Sequence, residues 1–130
     1  MFGSIPVILL LTLAMPPAGQ WADIDRSLTA ARKKALAPVI AKQLLLEKVV
    51  VIGSFRYHGW SIIHVGTYTS DDRFLFYSTD PIKTPPITEW GGSAAKNETD
   101  EINAWVVDNA KGIPAHLAAF FAWYVTHGDN

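Results

Sequence analysis

The chain has 130 residues, a formal net charge of −1, 49% apolar and 12% aromatic residues, and no cysteine. A near-neutral balance excludes the basic footprint of a nucleic-acid-binding domain, and the apolar content excludes a disordered chain. Without cysteine there is no disulfide, thiolate metal site, cysteine nucleophile or lipidated leader cysteine, so the fold rests on packing alone.

The first element is the apolar run Ile5–Ala14 (IPVILLLTLA), followed by Pro16-Pro17-Ala18-Gly19, with the first charge at Asp23. A helix needs about 20 apolar residues to cross a bilayer. This shorter run near the N-terminus reads instead as the core of a secretory signal peptide. Its positive end is supplied by the α-amino group of Met1 alone, since no Lys or Arg precedes the run. The sequence therefore predicts a leader over residues 1–22, cut between 18 and 22 at one of the small residues Ala18, Gly19 or Ala22. Residues 23–130 are expected to form one globular domain, large enough for a core without staples. The expected localisation is periplasmic or secreted. A leader that stayed attached would make the protein a membrane-associated accessory.

Charge is divided along the chain. From Asp23 to Arg56 seven basic residues face three acidic ones, and from Tyr57 onward four basic residues face nine acidic ones. The basic part suits a helix solvated on its outer face, or a patch for lipid headgroups or cell-wall polymers.

Ile24, Leu28, Ala31 and Ala35 recur at helical spacing, predicting a helix within 23–47 that is kinked near Pro38 or restarts as a short second helix carrying Val39, Ile40, Leu44 and Leu45. At Val49-Val50-Val51-Ile52 the β-branched run turns the prediction to strand, with a bulge at Gly53 and resumption at Phe55 and Tyr57. His58-Gly59 is a tight turn. Trp60–Tyr68 and Arg73–Ser78 are two further strands, joined at Ser70-Asp71-Asp72. Pro86–Trp90 supplies a fourth, edge strand ended by Gly91-Gly92. Thr99 or Asp100 starts a helix to about Asn109, Gly112 breaks it, and Pro114–Thr126 is a last helix, apolar nearly all round. The predicted fold is α+β: an N-terminal helix, an antiparallel meander of three to four strands, and a C-terminal helical hairpin.

Motifs for chemistry are sparse. His58, His64, His116 and His127 match no metal-ligand spacing, and no metal site or cofactor is expected. The adjacent acids Asp71 and Asp72 suit turn capping. No serine lies in a nucleophile motif. Asn97-Glu98-Thr99 is a glycosylation sequon, meaningful only in a eukaryotic secretory pathway. Glu89 beside Trp90 is a candidate general acid, because an aromatic neighbour raises a carboxyl pKa, and His64 is its candidate partner.

The segment Thr84–Ala95 (TPPITEWGGSAA) joins proline stiffness, a Trp, an acid and a Gly pair, which suits a surface for a flat or extended ligand. Trp90 and Glu89 are its candidate binding residues. Trp60 and Tyr68, on the predicted strand face of His64, complete the set. The sequence thus favours a small exported binding or accessory protein of a bacterial envelope, of inhibitor, immunity or assembly type and without catalysis. Its expected partner is another envelope protein or a cell-wall or small-molecule ligand, with no nucleic acid, and a membrane only if the leader is retained. The alternative is a small cofactor-free hydrolase or lyase using Glu89 and His64.

Overall fold

The computed structural model describes residues 17–128; the apolar run Ile5–Ala14 lies outside them. A 3-10 turn, Pro17–Trp21, leads into an extended segment whose Asp25 pairs antiparallel with Arg56. Helix α1 follows over Ala30–Gln43, then strands β1 (Val50–Tyr57), β2 (Trp60–Gly66), β3 (Arg73–Tyr77) and β4 (Thr88–Gly91). A 3-10 turn at Lys96–Glu98 opens helix α2 (Thr99–Asn109), and helix α3 (Ala115–His127) ends the described chain. The four strands form one antiparallel sheet in sequence order. The fold is α+β, with the meander and the C-terminal hairpin where the sequence puts them.

Helix α1 differs from its prediction at its start. The stretch Asp23–Thr29 is not helical, because Asp25 accepts the Ser27 N–H at 2.9 Å and its backbone exchanges two hydrogen bonds with Arg56. These local bonds compete with helix formation. Thr29 then caps the helix, its hydroxyl accepting the Arg32 N–H at 3.1 Å. Pro38 sits inside one helix, so no second helix begins at Val39. Its position is exposed, where water can take the carbonyl that proline leaves unbonded.

The sheet is covered on both faces, which explains why β2 and β3 are nearly continuous buried runs. Leu36, Ile40 and Ala41 of α1 pack with Val51, Ile63, Val65, Leu75 and Tyr77 on one face. Phe55, Ile62, Phe74 and Phe76 on the other meet Ile102 and Val106 of α2 and Leu117, Phe120 and Phe121 of α3. Each fully buried side chain of this size contributes roughly 1.5–3 kcal/mol. The β1–β2 register shifts between Val51 and Gly53, the expected bulge. The turn joining these strands has φ of 48° at His58 and 85° at Gly59, the double positive of a tight hairpin.

Candidate functional site

Residues directly opposite in an antiparallel sheet share a face. His64 of β2 lies opposite Phe74 of β3, and Phe74 opposite Trp90 of β4, so the three form a row across the sheet on the α3 side. The imidazole stacks on Phe74, with centroids 4.2 Å apart and planes 16° from parallel. Trp90 meets Phe121 edge-on at 5.6 Å and Phe74 at 6.2 Å, and is partly buried. Above this row lies a cleft of about 520 Å³. Tyr124 and Val125 of α3 form its far wall and Gly92, Ser93 and Ala94 its rim.

One polar pair faces this apolar cleft. The Asp72 carboxylate Oδ2 lies 3.2 Å from His64 Nε2, with the histidine side chain 17% exposed and the aspartate 54%. His64 thus has an apolar body against Phe74 and a polar edge turned to its carboxylate. Asp72 is its hydrogen-bond partner among the described residues, and no hydroxyl is bonded to the ring. A histidine oriented by a carboxylate but lacking a bonded nucleophile can hold a ligand group in place; acyl transfer would need that third member.

A second, more open depression of about 870 Å³ lies at the opposite end of β1 and β2, bordered by Asp23, Arg32, Arg56, His58 and Trp60. Its charges answer one another. Arg56 Nη2 pairs with Asp25 at 2.6 Å and Arg32 with Asp80 at 3.7 Å. His116 Nε2 meets Asp23 Oδ1 at 2.9 Å, a hydrogen bond that holds the Asp23 carboxyl below its usual range. Trp21 packs beside it on His116, Phe120 and Trp123.

The structure brings His64 and Trp90 together and disperses the other candidates. Glu89 lies opposite Leu75, on the α1 face, and accepts from Arg73 Nη1 at 3.0 Å. The two-residue period of the strand thus turns Glu89 away from its sequence neighbour Trp90. Glu89 and His64 share no cleft, so the pair does not provide an acid and base for one reaction. Trp60 is partly buried at the charged depression. Tyr68 lies beyond β2, 66% exposed, under the Lys48 ammonium at 4.8 Å. His58 stacks on Tyr57, and His127 meets the Thr126 hydroxyl. No group of three or more metal-ligating side chains occurs among the described residues.

Asp72, Tyr124 and Val125 were not candidates from sequence. Asp72 stands two residues before Phe74, so the strand period sends it toward the face of His64 once the β2–β3 register is known. The helix residues carry no such signal. No family model matches the chain, and no match was found among the curated proteins or the solved structures.

Proposed function

We propose that this chain is an exported, non-catalytic binding protein of a bacterial envelope, of inhibitor, immunity or assembly type, that holds its partner in the cleft of His64, Phe74, Trp90 and Tyr124. The observation that carries this reading is the His64–Asp72 pair set into an aromatic wall. Apolar walls with one convergent polar pair are the composition of a ligand site. The chemistry fits a group with a flat apolar body and one hydrogen-bonding end, such as an aromatic side chain of a partner protein or a small envelope ligand. No cofactor enters this reading.

The apolar run Ile5–Ala14 supports export, and the packing of Trp21 favours a cut on its N-terminal side. Removal after Ala18 or Gly19 keeps Trp21 on α3, whereas removal after Ala22 strips it from Phe120 and Trp123. We therefore place the cut on the Ala18 side of Trp21, and N-terminal sequencing of periplasmic or secreted material tests it. A chain beginning at Met1 in the cytosol would overturn export.

The binding reading is tested with a photo-crosslinking side chain at Ser93, on the cleft rim, and a control at Lys111, in the exposed turn after α2. In envelope preparations the Ser93 position should give one product of defined mass that Asp72→Asn weakens and the Lys111 position does not give. Equal labelling from both positions, or none from Ser93, would refute the cleft as a binding site.

A further inference from the structure

We infer that the group held in the cleft is an arginine side chain of a partner protein, its guanidinium laid against Trp90 and donating to Asp72. This inference rests on the cleft being the binding site and names the chemistry that the cleft selects.

Charge gives the first argument. Among the described residues that line the cleft Asp72 is the only acid, and no lysine or arginine stands with it. Asp72 Oδ2 meets His64 Nε2 at 3.2 Å, whereas Oδ1 has no hydrogen-bond partner among the described residues. Gly66 keeps that oxygen open, since a β-carbon there would stand 3.5 Å from it. A ligand that closes the cleft takes water from this carboxylate, and only a donor or a cation offsets the loss. An anionic ligand is repelled, and a neutral apolar one leaves the charge unanswered.

The aromatic wall then narrows the kind of cation. Trp90 is partly exposed in the cleft, while its neighbour Phe74 is buried at 7%. Phe74 and Phe121 meet Trp90 with planes 53° and 81° apart, so neither ring lies flat on the indole. A planar ligand group can. Arg73 stands opposite Gly91, and one further step of that register puts Asp72 beside Gly92. Asp72 and Trp90 are therefore diagonal neighbours, roughly 7–8 Å apart, a gap that one guanidinium bridges.

Guanidinium is planar and weakly hydrated, and it stacks on an aromatic face while its N–H groups reach a carboxylate. An ammonium is a compact, strongly hydrated charge that loses more water against the same wall. The molecule already contains such an arrangement outside the cleft lining. The Arg26 guanidinium carbon lies 5.4 Å from the Tyr124 ring centre, 5.5 Å from that of Phe55 and 5.7 Å from that of Phe120. This aromatic cluster thus holds one guanidinium on ring faces, and the cleft adds to a similar wall the carboxylate that would orient a second.

The test uses the full chain with the photo-crosslinker at Ser93. Dialysed envelope extract is treated with phenylglyoxal, which modifies arginine, before the protein is added, and a parallel sample is acetylated on lysine. The crosslinked product should be lost after the arginine treatment and kept after acetylation. A product that survives phenylglyoxal, or is lost equally in both samples, would overturn the inference and leave the cleft as the binding site. No product from untreated extract would overturn both. Purified protein supplies a second arm, in which N-acetyl-arginine amide should shift the Trp90 indole N–H signal in NMR, assigned through Trp90→Phe. N-acetyl-citrulline amide, the neutral isostere, should bind about tenfold more weakly, and the lysine amide should also be weaker than arginine. Asp72→Asn, at an exposed position, should keep the parent melting temperature and lower arginine affinity by about fivefold. Equal binding of arginine and citrulline, or an affinity unchanged by Asp72→Asn, would refute recognition of a guanidinium by this carboxylate.

Discussion

Replacing Trp90 by alanine tests whether the cleft wall is also a structural member. Strand β4 is an edge of only four residues, and Trp90 links it to the hairpin through Phe121 and Phe74. Full burial of a Trp would make truncation cost about 3–5 kcal/mol. Trp90 is partly buried and borders an existing cleft, so the added void is open to water on one side. About 2–3 kcal/mol is the expected loss, scaled down from that fully buried case. For a domain of this size that is a fall of roughly 8–12 °C in melting temperature. Urea unfolding and calorimetry on Trp90→Ala measure it, with Trp90→Phe as the control that keeps an aromatic ring on Phe121. The Phe variant should lose less than about 1.5 kcal/mol and still lose crosslinking from Ser93 if the indole contacts the partner. A melting temperature for Trp90→Ala within about 2 °C of the parent would refute the reasoning, because by the usual scale that is under 1 kcal/mol. The ring would then contribute to neither β4 nor the hairpin.

Three further measurements follow from particular contacts. Tyr77 donates to Gln43 Oε1 at 2.7 Å, tying β3 to the end of α1, so Tyr77→Phe should cost about 1–2 kcal/mol in urea unfolding at neutral pH. Burial pushes the Tyr77 hydroxyl above its ordinary 10.0, with a smaller contribution from Glu89. The unfolded chain therefore ionises first, stability falls as pH rises past that value, and Tyr77→Phe should remove this part of the alkaline loss. Thr29→Ala removes the α1 cap and should cost about 1 kcal/mol, seen as a lower urea midpoint with unchanged slope. Asp23 is held below its ordinary 3.8 by His116, so its contribution is present above that pH and is lost as pH falls through the lowered value. Asp23→Asn should accordingly melt below the parent at pH 6, with the difference vanishing in acid well below 3.8.

The meander is legible in the sequence because its signals are local. A β-branched run, a His-Gly turn and a second turn of small and acidic residues fix three strands before any tertiary contact is known. The start of α1 is not legible, since Ile24 and Leu28 keep helical spacing while Asp25 is drawn into a turn and a bridge with Arg56. The bridge partner is 31 residues away. The loop between β3 and β4 is similarly fixed from outside it, by Gln43 donating to the carbonyls of Pro81 at 2.8 Å and Thr84 at 3.2 Å. Half of the candidate site was within reach of the sequence: His64 and Trp90 are conspicuous as types. Their juxtaposition depends on register across three strands, as does the parting of Glu89 from Trp90. Asp72 reads as a turn acid until that register turns it toward the histidine.

The same register explains why a histidine is tolerated on a core-facing row. Tyr124, near the end of α3, still packs on Phe55 at 4.9 Å and reaches Phe74 at 6.4 Å. One step further along the sheet, Val50 stands opposite Gly66 and is 44% exposed, as is Ile52 at the bulge. On the α3 face the sheet thus runs on past the cover of the hairpin, while Val51 and Val65 on the other face stay buried, and the His64–Phe74–Trp90 row marks the boundary. On the inner side of that boundary a polar ring would sit buried at a cost of a few kcal/mol. At the boundary its flat face can stack on Phe74 while Nε2 reaches a solvent-exposed carboxylate, satisfying both halves of the side chain. Glycine at position 66 keeps the uncovered rows shallow: a β-carbon there would come within 3.0 Å of Val50 Cγ1 and 3.5 Å of the Asp72 carboxylate. The cleft is therefore a consequence of two lengths, a sheet one row longer than the hairpin that covers it. Its polar pair stands where that mismatch admits water.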